Sequence, residues 1–355
     1  MTFPFVVRSG LFTKAFLLFL AFFLALNFAI WKFRTRVLFD TSYDGGDLAR
    51  LGYVPGSKHF RKDFDDLPAR HVDIEDYHGQ KVDLVTIGDS FSQGMGGGRN
   101  RFYQDYIASR HNLSVLNIPP YDTLGAMPTL VMLVNNGFLE RLKPRYVVLE
   151  SAEKHCVERF SGDIDFSARL SMETLGRFKR TRYGKLGFRL NFVNNGNLKY
   201  LFYNFLRKFS PNGFFLRTYL MKLDRPFFSV ENDDLLLFYD HDIKRIDRAT
   251  DRNMAKLNNN LNILSDLLRK RGIRLYFMPI VDKYNLYSEY LVDNKLPRSV
   301  FFEKLRNLPR KYELIDTKAI LSEEVRRGEK DIYYADDTHW GWKASEKVFG
   351  TVRFH

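Results

Sequence analysis

The sequence predicts an α/β protein: a three-layer α/β/α domain with a central parallel sheet, a basic aromatic-rich helical insert, and one N-terminal transmembrane helix. Three observations lead there. Short β-branched runs alternate with amphipathic stretches from about residue 80 onward, which implies a parallel sheet covered on both faces. A charge-free apolar run precedes them near the N-terminus. Between Phe160 and Arg225 the alternation breaks into a stretch dense in cations and rings.

The 355 residues suit one large domain or two modest ones, and 45% apolar with 27% charged residues argues against intrinsic disorder. Fifty-five basic and 42 acidic residues leave a formal charge of +13. Such a surplus serves solubility, or attracts anionic lipid heads, acidic glycans or nucleic acid. No zinc-finger spacing, basic heptad array or RNA-binding aromatic signature is present, so nucleic acid is not an expected partner. The lone cysteine, Cys156, excludes an internal disulfide and a multi-cysteine metal site. The eight histidines show no His-x-x-x-His spacing, and the glycine run lacks the Lys-Ser/Thr ending of a phosphate loop. Neither metal nor cofactor is expected.

From Ala15 to Trp31 there is no charged residue. With Phe12 and a snorkelling Lys14, the run approaches the roughly 20 residues that span a ~30 Å hydrocarbon core. It lacks the polar face of a core helix and a good small-x-small cleavage site, so an uncleaved anchor over residues 1–36 is expected. Trp31 stands where an interfacial aromatic belongs. Basic residues flank both ends, so charge does not choose an orientation.

Residues 37–79 read as a polar connector and 80–355 as the main domain, with its insert at about 160–240. Val82–Ile87 is a buried strand ended by Gly88; Ser114–Ile118 is a second, stopped by Pro119-Pro120. Thr123–Phe138 is expected to be helical, and Tyr146–Leu149 a third strand. Asp251–Lys270 is the clearest helix, with Met254, Leu257, Leu261, Leu264 and Leu268 on one face and Gly272 as a stop. Ile273–Met278 and Tyr312–Ile315 complete five strands. The Phe160–Arg225 stretch holds 13 Lys/Arg and 4 Asp/Glu. It reads as a helical subdomain packed on the sheet, or as a cap facing a membrane or an anionic acceptor chain.

The chemistry concentrates at two points. Gly88-Asp89-Ser90-Phe91 follows the first strand, where open α/β sheets place ligands and where a following helix N-terminus can stabilise an oxyanion. Far downstream comes Asp336-Asp337-Thr338-His339-Trp340. A serine nucleophile needs a base, and the base needs a carboxylate to fix its tautomer. Ser90 and His339 fill the first two roles. Either Asp336 or Asp337 can reach the imidazole.

Gly-Asp-Ser after the first strand, with Asp-x-x-His near the C-terminus, resembles the SGNH/GDSL hydrolase superfamily over most of residues 80–350. The combination of Gly-Asp-Ser-Phe with Asp-Thr-His-Trp resembles more closely the periplasmic proteins of alginate O-acetylation and their relatives in polysaccharide and peptidoglycan acetylation. Val148–Glu153 looks like that branch's strand ending in paired acids, and Pro279, Lys283 and Tyr287 like its Pro…Lys…Tyr stretch. His339-Trp340-Gly341-Trp342 is similar, more weakly, to the teichoic-acid D-alanine transfer protein. The resemblance implies Ser90 as nucleophile and His339 as general base. Asp-x-x-His selects Asp336, whereas the longer Asp-Thr-His-Trp match favours Asp337.

The chain departs from the superfamily pattern at the oxyanion hole. Asn117-Ile118-Pro119-Pro120 occupies the second block, and no Gly-x-Asn-Asp follows Leu149. One donor is then the Ser90 N–H; Gly125, Asn117, Gly96 of the glycine run and Trp340 are the candidates for the remaining oxyanion and substrate contacts. Three functions fit: an O-acyltransferase on a cell-envelope polysaccharide, an esterase removing such groups, or a silent glycan-binding scaffold. The resemblance also implies a membrane-bound O-acyltransferase as acyl-donating partner, and an extracytoplasmic domain on the inner membrane.

Overall fold

The computed structural model describes residues 5–39, 46–61, 66–121, 124–169 and 192–355. The strands are β1 (Val72–Asp73), β2 (Leu84–Ile87), β3 (Val115–Asn117), β4 (Tyr146–Ala152), β5 (Thr218–Lys222), β6 (Leu235–Tyr239), β7 (Arg274–Ile280) and β8 (Glu313–Leu314). Six of them make one parallel sheet in the order β1-β3-β2-β4-β7-β8, and β5 and β6 form a separate antiparallel hairpin. Every residue of β2, β3 and β4 is buried. A sheet roofed by helices on both faces demands this, which is why these strands read as runs rather than alternations.

The helices that matter for the site are α1 (Phe5–Ile30), α2 (Asp47–Gly52), α3 (Tyr103–His111), α4 (Ala126–Asn135) and α5 (Glu153–Phe160). After them come α6 (Asn195–Leu206), α7 (Asp251–Arg269), α8 (Thr317–Arg326) and α9 (Trp342–Thr351). One layer packs α9 against α3 and α8; the other packs α7 against α4 and α5. The five apolar residues expected on one face of α7 are all buried. Thr250 caps that helix by accepting from the Asn253 N–H, and Gly272 turns the chain at φ 73°.

Several expectations need correction. Of the helix expected over Thr123–Phe138, Thr123 lies outside the described residues, and the chain breaks at Gly137 (φ 67°) into α4 and a short helix, Phe138–Leu142. The insert is not wholly helical, because α6 is followed by the β5–β6 hairpin, whose Leu236 and Phe238 join the main core. Residues 170–191 of it lie outside the description. The stretch 37–79 does more than connect: Leu48, Ala49 and Val54 form a second apolar cluster with Leu237 of β6, while β1 adds an edge strand to the sheet. Its residues 40–45 and 62–65 are not described. One helical stretch, Gly10–Leu38, is long and apolar enough to cross a membrane; only 11% of its apolar window is buried.

Residues beyond the carboxyl ends of β2 and β4 meet, because Ile87 pairs with Leu149. The next residue on β4 is Glu150, and a Cβ on Gly88 would stand 2.2 Å from its Oε2 and 2.4 Å from Ser92 Oγ. Glycine is needed here for room, not for backbone freedom. Gly88→Ala should lower stability by about 1–3 kcal/mol, the usual cost of overpacking. A urea unfolding midpoint equal to that of the native chain would mean that Glu150 does not hold this place.

Candidate active site

From β2 the chain steps to β3 on one side, then returns across β2 to β4 on the other. Such a switch point opens a crevice at the carboxyl ends of the strands. Ser90 lies there, three residues after Ile87.

A buried carboxyl pair holds its turn from beneath. Glu150 Oε2 accepts from the N–H groups of Asp89 (3.0 Å) and Ser92 (3.1 Å) and from the Ser92 hydroxyl (2.7 Å). Asp89 accepts from the Phe91 N–H (3.2 Å), the Ala152 N–H (3.0 Å) and Arg159. Two adjacent buried carboxyls do not both ionise. Burial, and then the Asp89 charge, push Glu150 well above the carboxylate range. Burial opposes the Asp89 charge too, but Arg159 and the hydrogen bond from Glu150 outweigh it and hold Asp89 low. Glu150 is the neutral member.

Above the turn, Ser90 Oγ lies 2.8 Å from His339 Nε2, and His339 Nδ1 lies 2.6 Å from Asp337 Oδ1. The carboxylate fixes the tautomer with the proton on Nδ1, which leaves Nε2 to accept from the hydroxyl. Burial pushes the imidazole down, yet the Asp337 charge and hydrogen bond prevail and its net shift is upward. For Asp337, burial is outweighed by the charge and hydrogen bond of His339, then by Arg61, and the carboxyl sits well below its ordinary range.

Asp337 Oδ2 accepts from the Gly46 N–H (2.8 Å) and Arg61 Nη2 (3.2 Å). Asp336 is turned away from the imidazole: it accepts from Arg61 Nη1 (2.7 Å) and the His59 N–H (3.0 Å). The alternative carboxylate is thereby excluded on geometry. Arg61 also lies 4.1 Å over the Tyr334 ring. The loop bearing both aspartates hangs on buried Lys283, whose Nζ donates to the carbonyls of Tyr334 (2.7 Å), Ala335 (2.9 Å) and Asp337 (3.2 Å). Burial lowers that lysine to about 8, against the upward pull of the two aspartates.

The oxyanion and substrate candidates part ways. Gly125 lines the same cavity as Ser90 and His339, at the N-terminus of α4 (φ 82°). Among the described residues nothing accepts from its N–H or from that of Ser90. Asn117 does not reach the site; its amide is buried under the turn, donating to Asp73 and the Ser92 carbonyl and accepting from Thr86 and Gln104. Gly96 sits behind the base, where a Cβ would meet His339 Cβ at 3.1 Å, and its carbonyl accepts from Arg61. Trp340 packs edge-on to Phe91 and is outside the cavity lining.

The cavity, about 700 Å³, also exposes Leu51, Leu124, Lys154, His155, Arg159 and Tyr239. Its two cations are held by carboxylates: Lys154 by Asp242 (2.7 Å) and Asp282 (3.4 Å), Arg159 by Asp89. Asp47, missed in the sequence along with Arg61, enters the lining from α2. It accepts from the Thr338 N–H (2.8 Å) and the Leu48 N–H (2.7 Å), and burial with the Asp337 charge pushes it up to about 7. Asp47, Asp337 and His339 place donor atoms within 4.8 Å of one another, the one such cluster among the described residues. The Asp337 and His339 donors in it are already spent on each other and on Ser90.

A parallel three-layer sheet with this serine at its switch point, and Asp337–His339 on a C-terminal loop, defines an SGNH hydrolase-like domain. Residues 232–352 match the family described as SGNH hydrolase-like domain, acetyltransferase AlgX. That segment contains Lys283, Asp336, Asp337 and His339; Ser90 lies upstream of it. No curated protein and no solved structure matches the chain.

Two predictions follow from the base. Activation needs a neutral imidazole, and the His339 pKa lies above 6.5, so kcat/KM should fall as pH drops through that raised value. Asp337→Asn should move the inflection down and cut turnover by about 10⁴-fold, the triad value, while Asp336→Asn keeps most activity. Equal losses in a side-by-side ester-hydrolysis profile would overturn the assignment.

Proposed function

We propose that this protein is a membrane-anchored serine O-acyltransferase, most simply an O-acetyltransferase, that modifies a cell-envelope polysaccharide. The observation that carries this is the Ser90–His339–Asp337 alignment at the floor of an accessible cavity. An aligned triad favours a working enzyme over a silent scaffold. The likeness to the AlgX acetyltransferase domain supports acyl transfer as its task.

In the first half-reaction, Ser90 Oγ attacks the acyl carbonyl as His339 Nε2 takes its proton, and Asp337 stabilises the imidazolium. The developing oxyanion faces the Ser90 N–H and, from across the cavity, the N–H groups at the start of α4. His339 then returns the proton to the leaving group as the carbonyl–donor bond breaks, leaving acyl-Ser90. In the second half, an acceptor hydroxyl gives its proton to His339 and attacks the acyl carbon; as the bond to Ser90 Oγ breaks, His339 returns that proton to Ser90 and the starting triad is restored. A sugar hydroxyl as acceptor makes a transferase; water makes an esterase.

On this reading α1 is the anchor, and the domain works outside the inner membrane beside a membrane-bound acyl donor. The apolar 29-residue stretch and the AlgX likeness support that placement.

The test is acyl partitioning. The native chain, given an activated acetyl ester, should show one acetyl group on Ser90 by mass spectrometry, absent in Ser90→Ala. Adding an oligosaccharide should divert acetyl groups from water to sugar. If water remains the sole acceptor for every oligosaccharide tried, the transferase reading fails and hydrolysis stands.

A further inference from the structure

Helix α6 is amphipathic in the reverse sense for a soluble protein. Leu198, Leu201, Phe202 and Phe205 recur at i, i+3, i+4 and i+7 and point outward, and Phe209 in the turn just beyond the helix continues the row, Phe205 56% and Phe209 66% exposed. Three polar residues face in. Asn197 is fully buried, Asn204 donates to the Tyr53 carbonyl (3.4 Å), and Arg207 donates to Thr218 Oγ1 (3.3 Å). Beyond the helix the Phe214-Phe215 tip extends the apolar surface, Phe215 being 72% exposed. A contiguous exposed patch of this kind marks an interaction surface.

Its position selects the partner. Asn197 Nδ2 donates to Asn27 Oδ1 (3.1 Å) and its carbonyl (3.2 Å), and Thr35 Oγ1 donates to Asn197 Oδ1 (2.5 Å). Phe28 of α1 meets Phe192 edge-on. These contacts join α6 to the C-terminal end of the apolar span, the level at which Lys32, Arg34 and Arg36 stand exposed. Lys199 on α6 and Lys208 just beyond its end flank the apolar stripe and are exposed as well. A second copy docking through this face would bring like-charged rims together, whereas anionic lipid headgroups complement them.

We propose that α6 and the Phe214-Phe215 tip lie in the headgroup–acyl boundary of an anionic bilayer, as a monotopic surface continuous with the anchor. This rests on reading α1 as a membrane span. The surface also sets the height of the catalytic cavity. Tyr203 of α6 stacks on Tyr53 (centroids 5.6 Å apart), directly after α2, whose Asp47 and Leu51 line the cavity. The acyl donor and the acceptor chain then meet Ser90 at a fixed distance from the membrane.

The full chain, with Phe205→Cys or, as a remote control, Thr351→Cys, is labelled with an environment-sensitive thiol dye; native Cys156 is buried. Each is reconstituted in phosphatidylcholine vesicles with and without phosphatidylglycerol. Spin-labelled lipids should quench the Phe205→Cys dye several-fold more than the control, and more so with phosphatidylglycerol, while aqueous iodide should do the reverse. Phe202→Glu with Phe209→Glu, both on the exposed face, should abolish the lipid quenching but leave the chain resistant to alkaline carbonate. A dye at 205 as open to iodide as the control overturns the proposal. So does a dye shielded from iodide and lipid alike, which would assign the face to a protein. Release by carbonate is read separately: it would sink the anchor reading, whatever the quenching pattern.

Discussion

A carboxylate with almost no access to water has to be surrounded by donors, and Asp337 imposes that demand on both ends of the chain. Its four donors are the His339 N–H and ring, the Gly46 N–H and Arg61. Asp336 adds a second buried acid one residue away, and one guanidinium serves both. The 46–61 arm is therefore locked to the 334–339 loop, with Ala49 N–H donating to the Asp336 carbonyl (3.0 Å) and the Thr338 N–H to Asp47. Taking Arg61 away would leave Asp336 buried without its cation and Asp337 with three of its four donors; removing one partner of a buried pair costs about 3–5 kcal/mol.

Ser90 lies between two carboxyl systems in opposite states. On the base side Asp337 is charged and orients the imidazole; under the turn Glu150 is neutral and Asp89 carries the charge against Arg159. Environment separates chemically identical groups into an orienting anion and a structural acid. The same arrangement explains Gly88, since the neutral Glu150 head occupies the volume a side chain would need. Lys283, fully buried among the Tyr334, Ala335 and Asp337 carbonyls, closes the loop from the far side.

Much of this was legible in advance. The long elements announced themselves: α7 by its heptad-like apolar residues and the Gly272 stop, β2 and β4 by runs of apolar residues. What escaped was short or irregular. β1 has two residues, too few to show a period, and the β5–β6 hairpin lies in the insert at about 160–240, which was expected to be helical. In the site, Ser90 and His339 sit in compact local motifs. Arg61 stands 275 residues from Asp336 and Asp47 291 from Thr338, with nothing around either to mark a role. Asn117 was a candidate because it stands in the superfamily's second block, but its side chain is held beneath the turn.

The sequence by itself determined the parallel α/β layering, the apolar N-terminal span and the pairing of a strand-end serine with a C-terminal histidine. These are properties of local pattern: burial on both faces writes an unbroken apolar run, and a nucleophile turn or an Asp-Thr-His-Trp loop spans a few adjacent residues. Tertiary structure alone decided which aspartate faces the imidazole, which acid under the turn stays protonated, and that a stretch read as a connector carries the donors that keep Asp337 charged. Those outcomes depend on which groups share a waterless volume, and segments far apart in the chain come to share one only once the sheet has brought its two ends together.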